Sequence, residues 1–373
     1  MPRPSATPCV LSLDIGTSSV RVLGYDTHGR LIPEVAASEE HAPDTTPDGG
    51  STLDPDAVLE RAFRCLDGAL AKARELRREV VGVAACTFWH SVLPLDASGR
   101  PLGPLLMWSD TRSAAQAEGL KGALDEHAVH GRTGCVLHPS YVPAKMAWVR
   151  ETQPQLAEAR WVSIGEYLGL RTHGRLACSV SMASGTGLLD LRQRAWDSQV
   201  LAACGLSPDQ LAPLVEPSEP SVGLTPEASA RWPELAKVPW YPALGDGAAS
   251  NLGCGATSSS RAALMVGTSG ALRWVRCEGV PSPPWGLWAY LIDSNRYLYG
   301  GALSNGGNLA AWLRDTLRIP WGAELDAKLG ALAPDGHGLT VLPFLAGERN
   351  PGWHGSARGT ITGLSLHTTP AEI

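Results

Sequence analysis

The chain opens on an alternation of apolar and polar positions. In CVLSLDI (9–15) apolar residues recur at every second place, the period of a half-buried strand. VRVLGYD (20–26) repeats the alternation after a Gly-Thr-Ser-Ser interruption. DTHGR supplies the next turn and LIPEVAAS a third strand, so an antiparallel meander is predicted, with glycine at the tight places. The period then changes. Val58, Leu59, Ala62, Phe63, Leu66 and Leu70 fall on one face of a helix that Asp54 can cap and Pro55 can open. VVGVAAC (80–86) reads as a short buried strand running straight into TFWHS. Residues 110 to 200 mix helical stretches with loops rich in His, Trp and Pro. KVPWYPALGDGAASNLGCG (237–255), Pro-rich and then Gly-rich, reads as a junction.

After that junction the pattern begins again. RAALMV predicts a strand, GTSG a turn and ALRWVR a strand; WAYLID and RYLYGG predict a hairpin through Ser294 and Asn295. SNGGNLAAWLRDTL predicts a helix with a glycine-rich entry. Each half thus opens with strand, Gly-Thr-Ser turn and strand, followed by further strands and a helix. This self-similarity predicts two related α/β domains meeting across a cleft, residues 1–242 and 243–373. A chance recurrence of the tripeptide is the competing explanation, and the matching flanks argue against it.

Composition narrows the class. The chain has 373 residues, 44% of them hydrophobic and 18% charged, with a formal net charge of −6. An acidic chain is not expected to have nucleic acid or an anionic membrane as its main partner. No run approaches the ~20 apolar residues of a membrane span, and the N-terminus has none of the layout of a secretory signal, so a cytoplasmic setting is expected. The eight cysteines stand singly without a CxxC pair. Free thiols in a reducing compartment are therefore expected, rather than a metal site or a disulfide framework.

The two turns carry the first candidate chemistry. Gly, Thr and Ser in a tight hairpin expose backbone N–H groups and hydroxyls without bulky side chains, which makes an anion cradle. Asp14, just before the first turn, is placed where a Mg²⁺ beside bound phosphates would need a carboxylate. One turn per domain could hold a nucleoside triphosphate from both sides. GxxxxGK[ST], a complete GxGxxG, GxSxG and HExxH are all missing from the sequence. In GDGAASNLG (245–253), Asp246 stands between glycines, where it could take a proton from a substrate hydroxyl or make an ordinary turn hydrogen bond.

DIGTSSVRV, GDGAASNLG, VGTSGALR, LSNGG and LPFLAGERNPGW, in that order, resemble the FGGY family of carbohydrate kinases. Within the family, WHSVLPLD (89–96), WSDTRS (108–113), RTGCVLHPSYVPAK (132–145), IGEYL (164–168) and SVSMASGTGLLDL (179–191) are most similar to its gluconokinases. The resemblance runs from about residue 10 to the end. It implies the actin/hexokinase/Hsp70-like (ribonuclease H-like) ATPase fold and ATP-dependent phosphorylation of a sugar or sugar acid, D-gluconate to 6-phosphogluconate first, with ATP and Mg²⁺. Asp246 would be the general base. Asp14, Gly16, Thr17 and Ser18 would form the first phosphate turn, with Asp14 near the metal; Gly267, Thr268 and Ser269 would form the second. Gly306 and Gly307 would lie on the nucleotide side. Trp89, His90, Asp110, Arg112 and Asp246 would line the sugar pocket. Trp108 and Tyr141 are candidates to stack on a sugar face, and His138, Lys145 and Arg349 to meet a substrate carboxylate. Residue by residue, plainer roles compete: His90 as a structural histidine, Trp89 as core, and Asp110 with Arg112 as an internal ion pair.

The resemblance also implies an early stop. ARGTITGLSLHTTPAEI (357–373) corresponds to a point before the family's usual end, where a long helix, a glycine-rich adenosine segment and further helices follow. The second domain is therefore expected to be incomplete. Three readings follow: a sugar or sugar-acid kinase, with xylulose or glycerol as alternative substrates; a non-catalytic sugar-binding remnant; and a plain ATPase of the same fold. A homodimer is compatible with the sequence but not specified by it.

Overall fold

A computed structural model describes residues 6–267, 269–279, 282–318, 321–345, 347–354 and 356–373. The chain divides into two compact units. The first is Met1–Gly255 with Arg276–Pro283 and Ala289–Leu298; the second is Ala256–Val275, Pro284–Trp288 and Tyr299–Ile373.

The first unit is built on a five-stranded sheet of β1 (Thr7–Ile15), β2 (Ser19–Asp26), β3 (Leu31–Glu40), β4 (Arg78–Thr87) and β5 (Trp240–Gly245), in the order β5-β4-β1-β2-β3. The predicted meander is the antiparallel β1-β2-β3 half. Alternation on β1 buries Cys9, Leu11, Leu13 and Ile15 completely. The other half is parallel: β4 beside β1, and β5 beside β4. Helix α1 (Pro55–Glu75) packs on β2 and β3 with the face predicted from its period, adding Cys65, Ala69 and Ala73. Asp54 caps it by accepting from the backbone N–H of Asp56 and Ala57. Each large apolar side chain so buried contributes on the order of 1.5–3 kcal/mol.

The stretch read as a junction is structured. Trp240–Gly245 is an edge strand, and Asp246 begins α2 (Asp246–Gly253) without a loop between them. Pro242 is accommodated in the strand at a register irregularity between Tyr241 and Leu244, where no ladder hydrogen bond is lost, and the first unit ends at Gly255, the end of this stretch.

In the second unit, β6 (Ala262–Val266) and β7 (Gly270–Arg276) form the predicted antiparallel pair, Val266 opposite Gly270. The predicted hairpin of β8 (Trp288–Asp293) and β9 (Arg296–Leu303) comes next, with its residues Ala289–Leu298 grouped in the first unit. Helix α3 (Gly307–Leu317) follows. This unit buries little around its first strand: Leu264 and Val266 on β6 are 65% and 66% exposed, and Leu272 on β7, Trp312 and Trp321 are exposed too. That apolar surface is unusually extensive for a free-standing face. No described helix is long and apolar enough to cross a membrane.

Candidate active site

The parallel register brings the ends of three strands together. Asp14 lies opposite Cys86, Cys86 opposite Leu244, and Thr87 opposite Gly245, so Asp246 emerges one step past the strand ends. The Cys86 thiol donates to Asp14 Oδ1 at 3.4 Å. Burial above all, and then the negative charges of Asp14 and Asp246, hold that thiol far above its ordinary pKa. Cys86 therefore stays protonated, a weak donor between two carboxylates. The Asp246 side chain is exposed, and its Oδ1 accepts from the Gly247 N–H at 2.7 Å.

The first Gly-Thr-Ser turn is tight. Gly16 N–H donates to Ser19 O at 2.9 Å, and a Cβ on Gly16 would sit 3.1 Å from that oxygen. Ser18 O accepts from His41 N–H. Thr17 Oγ1 accepts from Trp108 Nε1–H at 3.1 Å, which ties the turn to the WSDTRS segment. The second turn repeats the device: Gly267 N–H donates to Ser269 O at 2.8 Å. Gly307 N–H donates to Gly267 O at 2.6 Å, and a Cβ on Gly306 would lie 2.8 Å from the Ser269 backbone. The N-terminus of α3 is thus packed on the second turn, with the Gly267 and Gly307 N–H groups engaged in holding the two together. Thr268 lies outside the described residues.

Trp89 is only 5% exposed and acts as a wedge. Its indole stands where a Cβ on Gly245 (1.8 Å) or Gly185 (2.4 Å) would have to be, and its Nε1–H donates to Ser181 O at 3.0 Å. It therefore fixes the backbone immediately before Asp246. His90 takes φ 65°, a left-handed conformation that costs a non-glycine residue on the order of 1–3 kcal/mol. Its Nδ1 meets Gly185 O. Around these two rings lie Tyr141 (4.8 Å from His90, edge-on) and Tyr290 (4.7 Å from Trp89, 5.6 Å from His90), whose hydroxyls bond each other at 2.8 Å. Tyr290 had no signature in the sequence beyond an aromatic on a strand; only long-range packing brings it here.

Asp110 and Arg112 are paired with each other. Arg112 Nη2 donates to Asp110 Oδ2 at 2.6 Å, Ser51 N–H donates to the same oxygen at 3.1 Å, and the guanidinium lies 4.5 Å over the Trp148 ring. Lys145 is 1% exposed, its Nζ donating to Pro139 O (2.8 Å) and Ser140 O (2.6 Å). Burial lowers its pKa to about 7, against the pull of Asp110. A neutral amine has two N–H groups, and both are used. Lys145 thus holds the HPSY turn from behind and is buried away from any substrate carboxylate. His138 is engaged by Ser140, and Arg349 lies 5.9 Å over Trp353 in the second unit. Among the described residues no cluster of three His, Cys, Asp or Glu side chains could cage a metal. One or two carboxylates beside phosphates are the donor set Mg²⁺ uses, and Asp14 with Asp246 fits that pattern.

The model of the FGGY family of carbohydrate kinases, N-terminal domain, matches residues 9–253, and that of its C-terminal domain matches 262–373. The sequence is 28% identical to a gluconokinase of Bacillus subtilis (strain 168), over 96% of this chain and 72% of that protein. It is 32% identical to a xylulose kinase of Streptomyces rubiginosus, over 98% and 73%. The crystal structure of gluconate kinase from Lactobacillus acidophilus superposes with TM-score 0.90 at 25% identity, covering 98% of this chain and 74% of that one. The fold is accordingly the two-domain actin/hexokinase-like one expected from the sequence.

Two predictions follow from the packing. Gly245→Ala should cost about 1–3 kcal/mol in urea melts because the methyl group meets the Trp89 ring, and Trp89→Leu should relieve part of that cost in the double variant. Strictly additive costs would refute the wedge. The second concerns pH. With Lys145 near 7 when folded and 10.5 as its ordinary value, the unfolded state binds more protons between these limits, so this group makes stability rise with pH there. Lys145→Met should flatten that rise; an unchanged slope would refute the buried neutral amine.

Proposed function

Because this chain belongs to the FGGY family of carbohydrate kinases, we propose that it transfers the γ-phosphoryl group of ATP to a hydroxyl of a sugar acid, D-gluconate before xylulose or glycerol. The observation that carries the catalytic part is Asp246, exposed at the first position of a helix, directly past the end of a strand that shares the neighbour β4 with Asp14's strand. Gluconate is favoured over the alternatives by the gluconokinases among the relatives.

In this reading Asp246 accepts the proton of the acceptor hydroxyl as its oxygen bonds to the γ-phosphorus; the bond from that phosphorus to the bridging oxygen breaks, and ADP leaves. The base needs no unusual pKa, because the hydroxyl becomes acidic only as the new bond forms. The Gly16–Ser19 turn in the first unit, and the Gly267–Ser269 turn with the N-terminus of α3 in the second, each offer N–H groups to phosphate oxygens. Asp14 would hold a Mg²⁺, which would neutralise charge on the transferring group. Tyr141, Tyr290, Trp89 and His90 form the aromatic wall against which the sugar packs, and the Asp110–Arg112 pair, fixed by Ser51 and Trp148, supplies its polar edge.

Asp246→Asn should leave gluconate binding intact and lower turnover by a factor of ~100 or more; a variant with undiminished turnover would remove Asp246 from the base role. The substrate is tested separately by melting the chain with gluconate, xylulose, ribulose, glycerol or glucose. A ligand at 100 times its Kd adds about 2.7 kcal/mol. A rise with gluconate alone supports the proposed substrate, and a rise with another sugar reassigns it.

A further inference from the structure

An open cavity of about 900 Å³ lies in the first unit, and none of the candidate active-site residues lines it. Its wall carries Arg160, Arg175 and Arg194 against a single carboxylate, Asp209, so three positive groups and one negative leave an excess of two positive charges. This is local concentration against the trend, since the whole chain carries −6. The three arginines come from separate places. Arg160 opens the strand Arg160–Val162; Arg175 follows Gly174, the left-handed cap (φ 66°) of the helix Ile164–His173; and Arg194, itself left-handed at φ 52°, sits in the turn before Ala195–Trp196.

What those guanidinium groups bond to matters more than their number. Among the described residues, the Arg160 and Arg175 side chains have neither an ion pair nor a hydrogen bond, and both residues are exposed. Arg194 uses one of its donors on Ser294 O, at 2.6 Å. Arg112, Arg132, Arg171 and Arg231, by contrast, are each locked on carboxylates; Arg160 and Arg175 are set apart from other unpaired arginines of the surface by sharing one cavity wall. The rest of the cavity wall is apolar, with Leu211 and the half-buried Trp196 among its residues. The volume is that of a small-molecule site, and planar guanidinium forks match phosphate oxygens two at a time.

We propose that this cavity is a second ligand site, which takes a phosphate-bearing small molecule whose apolar part lies against the wall by Trp196 and Leu211. The inference does not rest on the proposed kinase reaction, and its test needs no turnover. Inorganic pyrophosphate is titrated calorimetrically into the 373-residue chain, without divalent cation, for the native protein, Arg160→Ala/Arg175→Ala and Arg77→Ala, an exposed arginine outside the cavity. The double variant should bind ~10- to 100-fold more weakly, with Arg77→Ala unchanged. Arg160→Lys/Arg175→Lys should fall between, because it keeps the charge and loses the forks. Both arginines are exposed, so the variants should melt as the native protein does, and a far-UV circular dichroism melt checks this. The proposal is overturned if native protein gives no binding, if the double variant binds as tightly as native, or if Arg77→Ala weakens binding as much as the double variant does.

Discussion

The parallel alignment of β1, β4 and β5 is the constraint from which the candidate site follows. Parallel strands end on the same side, so residues near their carboxyl ends become neighbours however far apart they lie in sequence. Asp14, Cys86 and Asp246 are such residues. A one-residue slip in either pairing would turn a carboxylate to the other face of the sheet. The alternation that buries Leu11, Leu13 and Ile15 on β1 prevents that slip. The hydrophobic core and the placement of the acidic groups are thus one decision, made by one register.

Rigidity around that register comes from close approach. Gly185 and Gly245 have no side chain to contest the space of the Trp89 indole, so the ring reaches the backbone on both sides and determines where Asp246 leaves the sheet. The polar groups nearby are satisfied by one another. Asp110 takes Arg112 and the Ser51 N–H; Lys145 spends its donors on two carbonyls. Buried polar groups need such partners, and a group that has them is shaped for holding a turn or a wall in place. This is why Lys145, a candidate for a substrate carboxylate on sequence grounds, is a support for the turn that carries Tyr141.

The second unit uses the same turn with a different backing. The Gly16 turn leans on Trp108 through Thr17, whereas the Gly267 turn leans on the backbone at Gly306–Gly307. Glycine is required there because a Cβ on Gly306 would meet the Ser269 backbone at 2.8 Å. Leu264 and Val266 of β6 stay exposed, in contrast with β1, whose alternate residues Cys9, Leu11, Leu13 and Ile15 are buried.

Much was legible in the chain. Period-2 alternation marked β1 and β2, apolar runs flanking a Gly-Thr-Ser turn marked β6 and β7, and period 3.6 with Asp54 and Pro55 marked α1, because these signals are local. The order of short motifs identified the family, and Asp14, Asp246 and the two turns as candidates. The segment 237–255 holds a strand and a helix that its Pro and Gly content did not announce, since Pro and Gly signal turns unless a sheet edge and a packed indole require them. Tyr290 and the bond from Trp108 to Thr17 had no local signal, and neither did the seclusion of Lys145 or the gathering of Arg160, Arg175 and Arg194 on one cavity. The sequence by itself determined which segments are strands and helices and which residues carry chemistry, because propensity and periodicity act within a few residues. Only the tertiary structure decided which of those residues meet and which are buried with partners, because burial and pairing depend on segments that are distant in the chain and adjacent in space.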